Sequence, residues 1–115
     1  PISRLADCIL ETKQDLVDSA MRSGIVGHVG DGNFHLGLVA DFTDAEKKAA
    51  AIAFSDRLTQ RALAMGGTCT GEHGVGTGKM AFLHAEHGEA VSVMRALKLA
   101  LDPQNIMNPG KILRT

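Results

Sequence analysis

A chain of 115 residues is long enough for one domain with a modest core. Twelve basic residues face thirteen acidic ones, the net charge is −1, and Trp and Tyr are absent, so nothing supports nucleic-acid binding. No apolar run reaches the about 20 residues that cross a bilayer, and the start, Pro1-Ile-Ser-Arg4, is not a signal peptide. Cys8 and Cys69 do not make a disulfide framework, and a reducing, cytoplasmic compartment is expected. Lacking an initiator Met, the chain reads as a piece of a longer polypeptide.

Ser3 to about Arg22 has the pattern of an amphipathic helix, with Leu5, Ile9, Leu16 and Ala20 on one stripe and Gly24 as its stop. A hairpin of roughly 25–30 and 34–40 follows. Thr43-Asp-Ala-Glu46 has the form of a capping box. It opens a long helix to about Met65, whose buried stripe is Ala51, Phe54, Leu58, Ala62 and Met65 and whose stop is Gly66-Gly67. Thr68-Cys69-Thr70 favours a short strand. A helical region begins near Lys79, and its last amphipathic segment carries Ala90, Met94, Leu97 and Leu101 before Asp102-Pro103 ends it. The tail 105–111 is turn-rich and irregular. The expected fold class is α+β, an antiparallel sheet covered by helices on one face. Three strands make a poor independent sheet, so the sheet is expected to continue in another part of a longer polypeptide or in a partner chain.

Two histidines stand symmetrically about a turn signal in His28-Val-Gly-Asp-Gly-Asn-Phe-His35. With Asp31-Gly32 as a two-residue hairpin loop, His28 faces His35 across the strands. Directly opposed residues have Cβ atoms about 4.5–5.5 Å apart, close enough for two imidazoles to share a metal ion. Alternation places Val29, Phe34, Leu36, Leu38 and Ala40 on an apolar face and His28, His35, Gly37 and Val39 on the other. The bland alternative is two satisfied polar residues on a half-exposed sheet. One added carboxylate would complete a His₂Glu set of the kind found in open catalytic zinc sites.

Gly71-Glu-His-Gly-Val-Gly-Thr-Gly-Lys79 is not a phosphate loop. The first glycine of that motif would fall at His73, and Met80 follows Lys79 where Ser or Thr is needed. Position 79 also breaks a G-x-G-x-x-G pattern, and His84-Ala-Glu86-His87 lacks zincin spacing, which leaves His84 and His87 as exposed helix residues. The glycines permit close backbone approach to a flat or bulky ligand and free Glu72 and His73 from regular geometry. A flexible loop with solvated charges is the alternative. Cys69 is read as a small buried hydrophobe rather than a ligand.

Three ordered segments carry a resemblance: His28–His35, Gly67-Thr-Cys-Thr-Gly-Glu-His-Gly-Val-Gly-Thr-Gly-Lys79 and Leu101-Asp-Pro-Gln-Asn-Ile-Met-Asn-Pro-Gly-Lys-Ile112. They resemble the C-terminal motifs of FAD-linked oxidases, the vanillyl-alcohol-oxidase-type flavoproteins. The branch most similar is that of the D-2-hydroxy-acid dehydrogenases, which includes D-lactate dehydrogenase and the glycolate oxidase FAD subunit. The resemblance implies His28, His35 and Glu72 as ligands of a divalent metal, zinc above all, and His73 as catalytic base in contact with substrate. It implies Asn108 beside the flavin ring. Gly37 stands at a substrate-facing position where the 2-hydroxyglutarate branch has Asn, which favours a smaller acid such as lactate or glycolate.

The same resemblance implies that residues 1–100 are the C-terminal part of a substrate (cap) domain and 101–115 a tail returning to an FAD domain outside this chain. The implied reaction is metal-assisted oxidation of a 2-hydroxy acid to a 2-oxo acid, with the chain inactive by itself. The electron acceptor is not specified; a homo-oligomer and a peripheral place at the inner membrane, through an acceptor partner, are open expectations. Two alternatives stand beside this: a stand-alone His₂Glu zinc hydrolase and a metal-stapled interaction module.

Overall fold

The computed structural model describes residues 1–113, and among them are four α-helices and one two-stranded antiparallel sheet. The chain divides into two compact units, Pro1–Gly71 and the residues from Glu72 onward. The expected α+β class is found.

Helix α1 (Ile2–Asp18) buries Cys8, Thr12 and Leu16, a stripe of one residue per turn. It is shorter than expected. The Ser19 N–H closes it on the Asp15 carbonyl at 2.9 Å, and Ala20 then turns the chain with φ 51°. Arg22 and Gly24 therefore lie in a strand rather than at a helix end, because β1 (Arg22–Val26) gains ladder hydrogen bonds with β2 (His35–Val39). Ala20, assigned by periodicity to the buried stripe, is exposed.

Helix α2 (Ala45–Ala64) buries Ala51, Phe54 and Thr59, while Leu58, Ala62 and Met65 are half-buried. Its N-cap is Asp44, not the first residue of the expected capping box. The Asp44 carboxylate accepts the N–H groups of Glu46 and Lys47 at 3.0 and 3.2 Å. The Thr43 hydroxyl instead donates to Asp41 at 2.6 Å. Gly66 ends the helix with φ 75°, and the Gly67 N–H returns to the Ala62 carbonyl at 2.8 Å.

Polar groups join α1 to α2. Arg57 grips Asp15 with Nε at 3.1 Å and Nη2 at 2.6 Å, and Arg61 adds Nη2 at 2.8 Å. Hydrogen bonds from Arg57, then from Arg61 and Ser19, hold the Asp15 carboxyl well below the usual carboxylate range. Arg61 also donates to the fully buried Thr12 hydroxyl at 3.1 Å, and that hydroxyl donates to the Cys8 carbonyl at 2.6 Å. Phe54, with no exposed surface, fills the interior beside these contacts.

The expected strand at 68–70 does not form. The sheet among the described residues holds only β1 and β2, so a third β-favouring segment has no ladder to join. Cys69 is buried there, as expected of a small hydrophobe.

In the second unit, α3 (Met80–His87) buries Leu83 and leaves His84 and His87 exposed. Helix α4 (Ala90–Leu101) follows a turn at Gly88 and buries none of its residues. Asp102 ends α4, and the tail turns through Asn105, Asn108 and Gly110, all at positive φ. The last two residues of the expected tail, Arg114 and Thr115, lie outside the described residues.

Candidate metal and substrate site

The hairpin register corrects the sequence reading. Val26, not His28, pairs with His35; Ile25 pairs with Leu36 and Gly24 with Gly37. Asp31-Gly32 is not a two-residue turn. The strands are joined by an eight-residue loop, 27–34, built on a 3-10 turn at Val29–Asp31 with His28 as its cap. The His28 carbonyl accepts N–H groups from Asp31 at 2.9 Å and Asn33 at 3.2 Å, and Gly32 takes φ 76°. Val29, expected on the apolar sheet face, is 56% exposed in this turn.

The two imidazoles nevertheless meet, by a different route. The loop is pinched at its base: a Cβ on Gly27 would collide with the Phe34 Cα and sit 2.5 Å from the Asn33 carbonyl oxygen. Gly27 precedes His28 and Phe34 precedes His35, so the pinch sets the histidines side by side. Their ring centroids are 6.2 Å apart with planes at 89°.

Strand alternation places Ser23, Ile25, Leu36 and Leu38 on a half-buried side. Ile25 and Ser23 there share a groove with Ile9, Lys13 and Leu16 of α1. The opposite side, with Gly24, Val26, Gly37 and Val39, is exposed around the half-buried His35. A Cβ on Gly37 would meet only the Gly24 carbonyl oxygen, at 3.9 Å, and one on Gly24 would meet nothing. The patch at Gly24 and Gly37, next along the sheet from the Val26–His35 pair, is thus clear of side chains.

Glu72 and His73 open the second unit as exposed neighbours, with His73 Nε2 3.4 Å from Glu72 Oε1. The segment leading to them is fixed within the first unit: a Cβ on Gly71 would strike the Asn33 side chain. Asn33 lies between the two histidines in sequence, and Glu72 is the next residue after Gly71. Beyond His73, Gly74 and Gly76 take φ of 80° and 51°. The Gly76 carbonyl accepts the Ile112 N–H at 2.7 Å, so the tail bearing Asn108 is bonded to the segment bearing His73.

Over residues 1–112 the sequence matches the family described as FAD linked oxidases, C-terminal domain. The chain belongs to this family. It is 54% identical over 98% of its length to a probable mitochondrial D-lactate dehydrogenase of Danio rerio, covering 23% of that protein. It is 49% identical over its full length to the mitochondrial D-lactate dehydrogenase [cytochrome] 1 of Saccharomyces cerevisiae, covering 19% of it. Over 75% of the chain it is 40% identical to the glycolate oxidase subunit GlcD of Bacillus subtilis, covering 18% of that protein. The chain thus spans about a fifth of the length of these relatives. No helix among the described residues is long and apolar enough to cross a membrane.

Within this FAD-linked oxidase domain, two contributions were missed in the sequence. Gly27 and Gly71 act by close approach, and only their flanking of the histidine and Glu-His motifs hinted at it. Asp102 was read as a helix stop, yet it is 4% exposed and organises the tail.

Proposed function

We propose that this chain is the C-terminal part of an FAD-dependent D-2-hydroxy-acid dehydrogenase that oxidises D-lactate or glycolate to the 2-oxo acid. In this reading residues 1–100 belong to the substrate domain and 101–115 return to the FAD domain. His28, His35 and Glu72 hold a divalent metal, zinc by its preference for two imidazoles and a carboxylate. Support for the fit comes from two imidazoles 6.2 Å apart on the hairpin, from Gly71 packed on Asn33 of the histidine loop within the first unit, and from Glu72 as the next residue in the chain. When bound, the metal would supply Lewis-acid polarisation and the flavin a hydride acceptor.

The chain's own residues do the rest. His73 takes the hydroxyl proton at its imidazole as the hydride leaves C2, so one proton and one hydride depart and a carbonyl forms. Imidazole suits this task because one of its ring nitrogens can take a proton. The bare glycine surface at Gly24 and Gly37 leaves room for a small acid beside His35. Asn108 lies on the flavin side.

A His₂Glu set by itself also suits a zinc hydrolase or a metal-stapled interaction module; membership of the FAD-linked oxidase family is what favours oxidation. Reduced flavin must pass its electrons on, so an acceptor partner belongs to the proposal, as do self-association and a peripheral place at a membrane. The compartment is a reducing one, cytoplasmic or, as in the two relatives named so, mitochondrial; Cys8 and Cys69 are both buried.

The observation that carries this reading is the histidine pair, found in a chain of this family. The test is anaerobic mixing of the full-length protein with D-lactate, L-lactate and glycolate. The expected result is bleaching of the flavin band by D-lactate or glycolate and not by L-lactate. Absence of flavin, or a flavin that no 2-hydroxy acid bleaches, overturns it.

A further inference from the structure

Away from the histidine hairpin, one buried charge has no part in the function proposed above. Asp102 is 4% exposed and caps the C-terminal end of α4, where the helix dipole opposes a carboxylate. Three partners hold it there. Its Oδ1 accepts the Ile106 N–H at 3.0 Å, its Oδ2 accepts the Met107 N–H at 2.9 Å, and the Lys98 ammonium pairs with it from one turn back along the helix. Lys98, and after it the two backbone donors, keeps the Asp102 carboxyl below the ordinary carboxylate range against the opposing effect of desolvation.

Lys98 does a second thing. Its ammonium also donates to the Met107 carbonyl. Between them, the two side chains satisfy both polar groups of the Met107 backbone. The next residue is Asn108, at φ 47°, a left-handed turn conformation that among non-glycine residues Asn adopts most readily. Beyond it, Gly110 turns the chain again and Ile112 bonds to Gly76. The Asn108 turn is therefore held on one side by the Lys98–Asp102 pair and on the other by the glycine segment that follows His73.

We propose that Lys98 and Asp102 are positioning residues: they latch the tail so that the Asn108 side chain is presented to the flavin in a fixed orientation. This rests on the reading of Asn108 given under Proposed function. A merely structural cap would cost stability when broken and leave the electronic environment of the bound flavin alone. A positioning latch would alter that environment, because a group misplaced by about 1 Å in an active site costs on the order of 10²-fold in rate.

The experiment uses full-length flavin-loaded protein and reads the visible absorption band per bound flavin, the flavin content and turnover. The variants are Asn108→Ala, Asp102→Asn, Lys98→Met and Lys98→Arg. Asn108→Ala is expected to shift the flavin band. Asp102→Asn and Lys98→Met are expected to shift it the same way and to lower turnover by about 10- to 100-fold. Lys98→Arg, which keeps the cation, is expected to stay near the parent protein in both. If Asn108→Ala leaves the band unchanged, the reading of Asn108 fails and the latch falls with it. If Asn108→Ala shifts the band while Asp102→Asn and Lys98→Met do not, the latch alone is overturned. Should Asp102→Asn fail to fold, the contrast between Lys98→Met and Lys98→Arg decides: a shift in the first and none in the second supports the latch, and equal behaviour overturns it.

Discussion

In the unit Pro1–Gly71, Phe54 and Thr12 are fully buried and Cys8, Leu16, Ala51 and Thr59 nearly so. In the unit from Glu72 onward, Leu83, Asp102 and Leu113 are the buried residues described, while Val93, Leu97 and Leu101 on α4 are 60, 59 and 80% exposed. The first unit has a core made where α1 meets α2. The second is organised by hydrogen bonds and one ion pair around Met107, and leaves its apolar helix uncovered. A segment that carries hydrophobic residues without burying them is shaped for contacts beyond itself.

The contrast predicts unequal costs of truncation. In the 115-residue chain, Phe54→Ala is expected to lower stability by about 3–5 kcal/mol, as removal of a fully buried ring does. Leu101→Ala is expected to change it by no more than about 0.5 kcal/mol. Urea unfolding of the two variants measures this; equal losses would erase the distinction between the units.

Asp15→Ala comes next. It removes a half-buried carboxylate gripped by two arginines, one of them substantially exposed, so a loss of about 1–3 kcal/mol is expected from the same unfolding curves. The carboxyl also gives a pH signature. Its pKa is lower folded than unfolded, so the stability it contributes is present above the unfolded value, near pH 4, and is lost as the pH falls below that. Acid titration of stability is expected to show a shallower fall below about pH 4 for Asp15→Ala than for the parent chain.

The smallest change concerns association. The free 115-residue chain is expected to self-associate through exposed apolar surface, and Leu101→Lys is expected to weaken this with little effect on folding. Light scattering across a concentration series gives the answer; a parent chain that stays monomeric at high concentration removes the argument.

Much of this was legible beforehand, for local reasons. Gly66-Gly67 and Asp102-Pro103 end helices through their own backbone restrictions, and the stripe Ala51, Phe54, Leu58 follows from helical period. The loop 27–34 was not legible as it stands. Asp-Gly is a strong signal for a two-residue turn, but here Gly32 serves a 3-10 turn closed on the His28 carbonyl. The approach of Gly27 to Phe34 that sets the loop's width depends on backbone seven residues along. The strand foreseen at 68–70 failed because β propensity needs a partner strand. The histidine pair survived the wrong register because the pinch, and not cross-strand pairing, brings the rings together.

The central claim is that the histidine hairpin and Glu72 hold a metal while the adjacent His73 moves the proton. The measurement is metal content beside steady-state turnover for Glu72→Gln and His73→Ala in the full-length protein. Glu72→Gln is expected to lose metal and activity together. His73→Ala is expected to keep metal and flavin and to lose about 10²–10⁴ in turnover, the contribution of a positioned base. Metal retained by Glu72→Gln but lost by His73→Ala would reverse the two roles, and full activity in both would contradict the site.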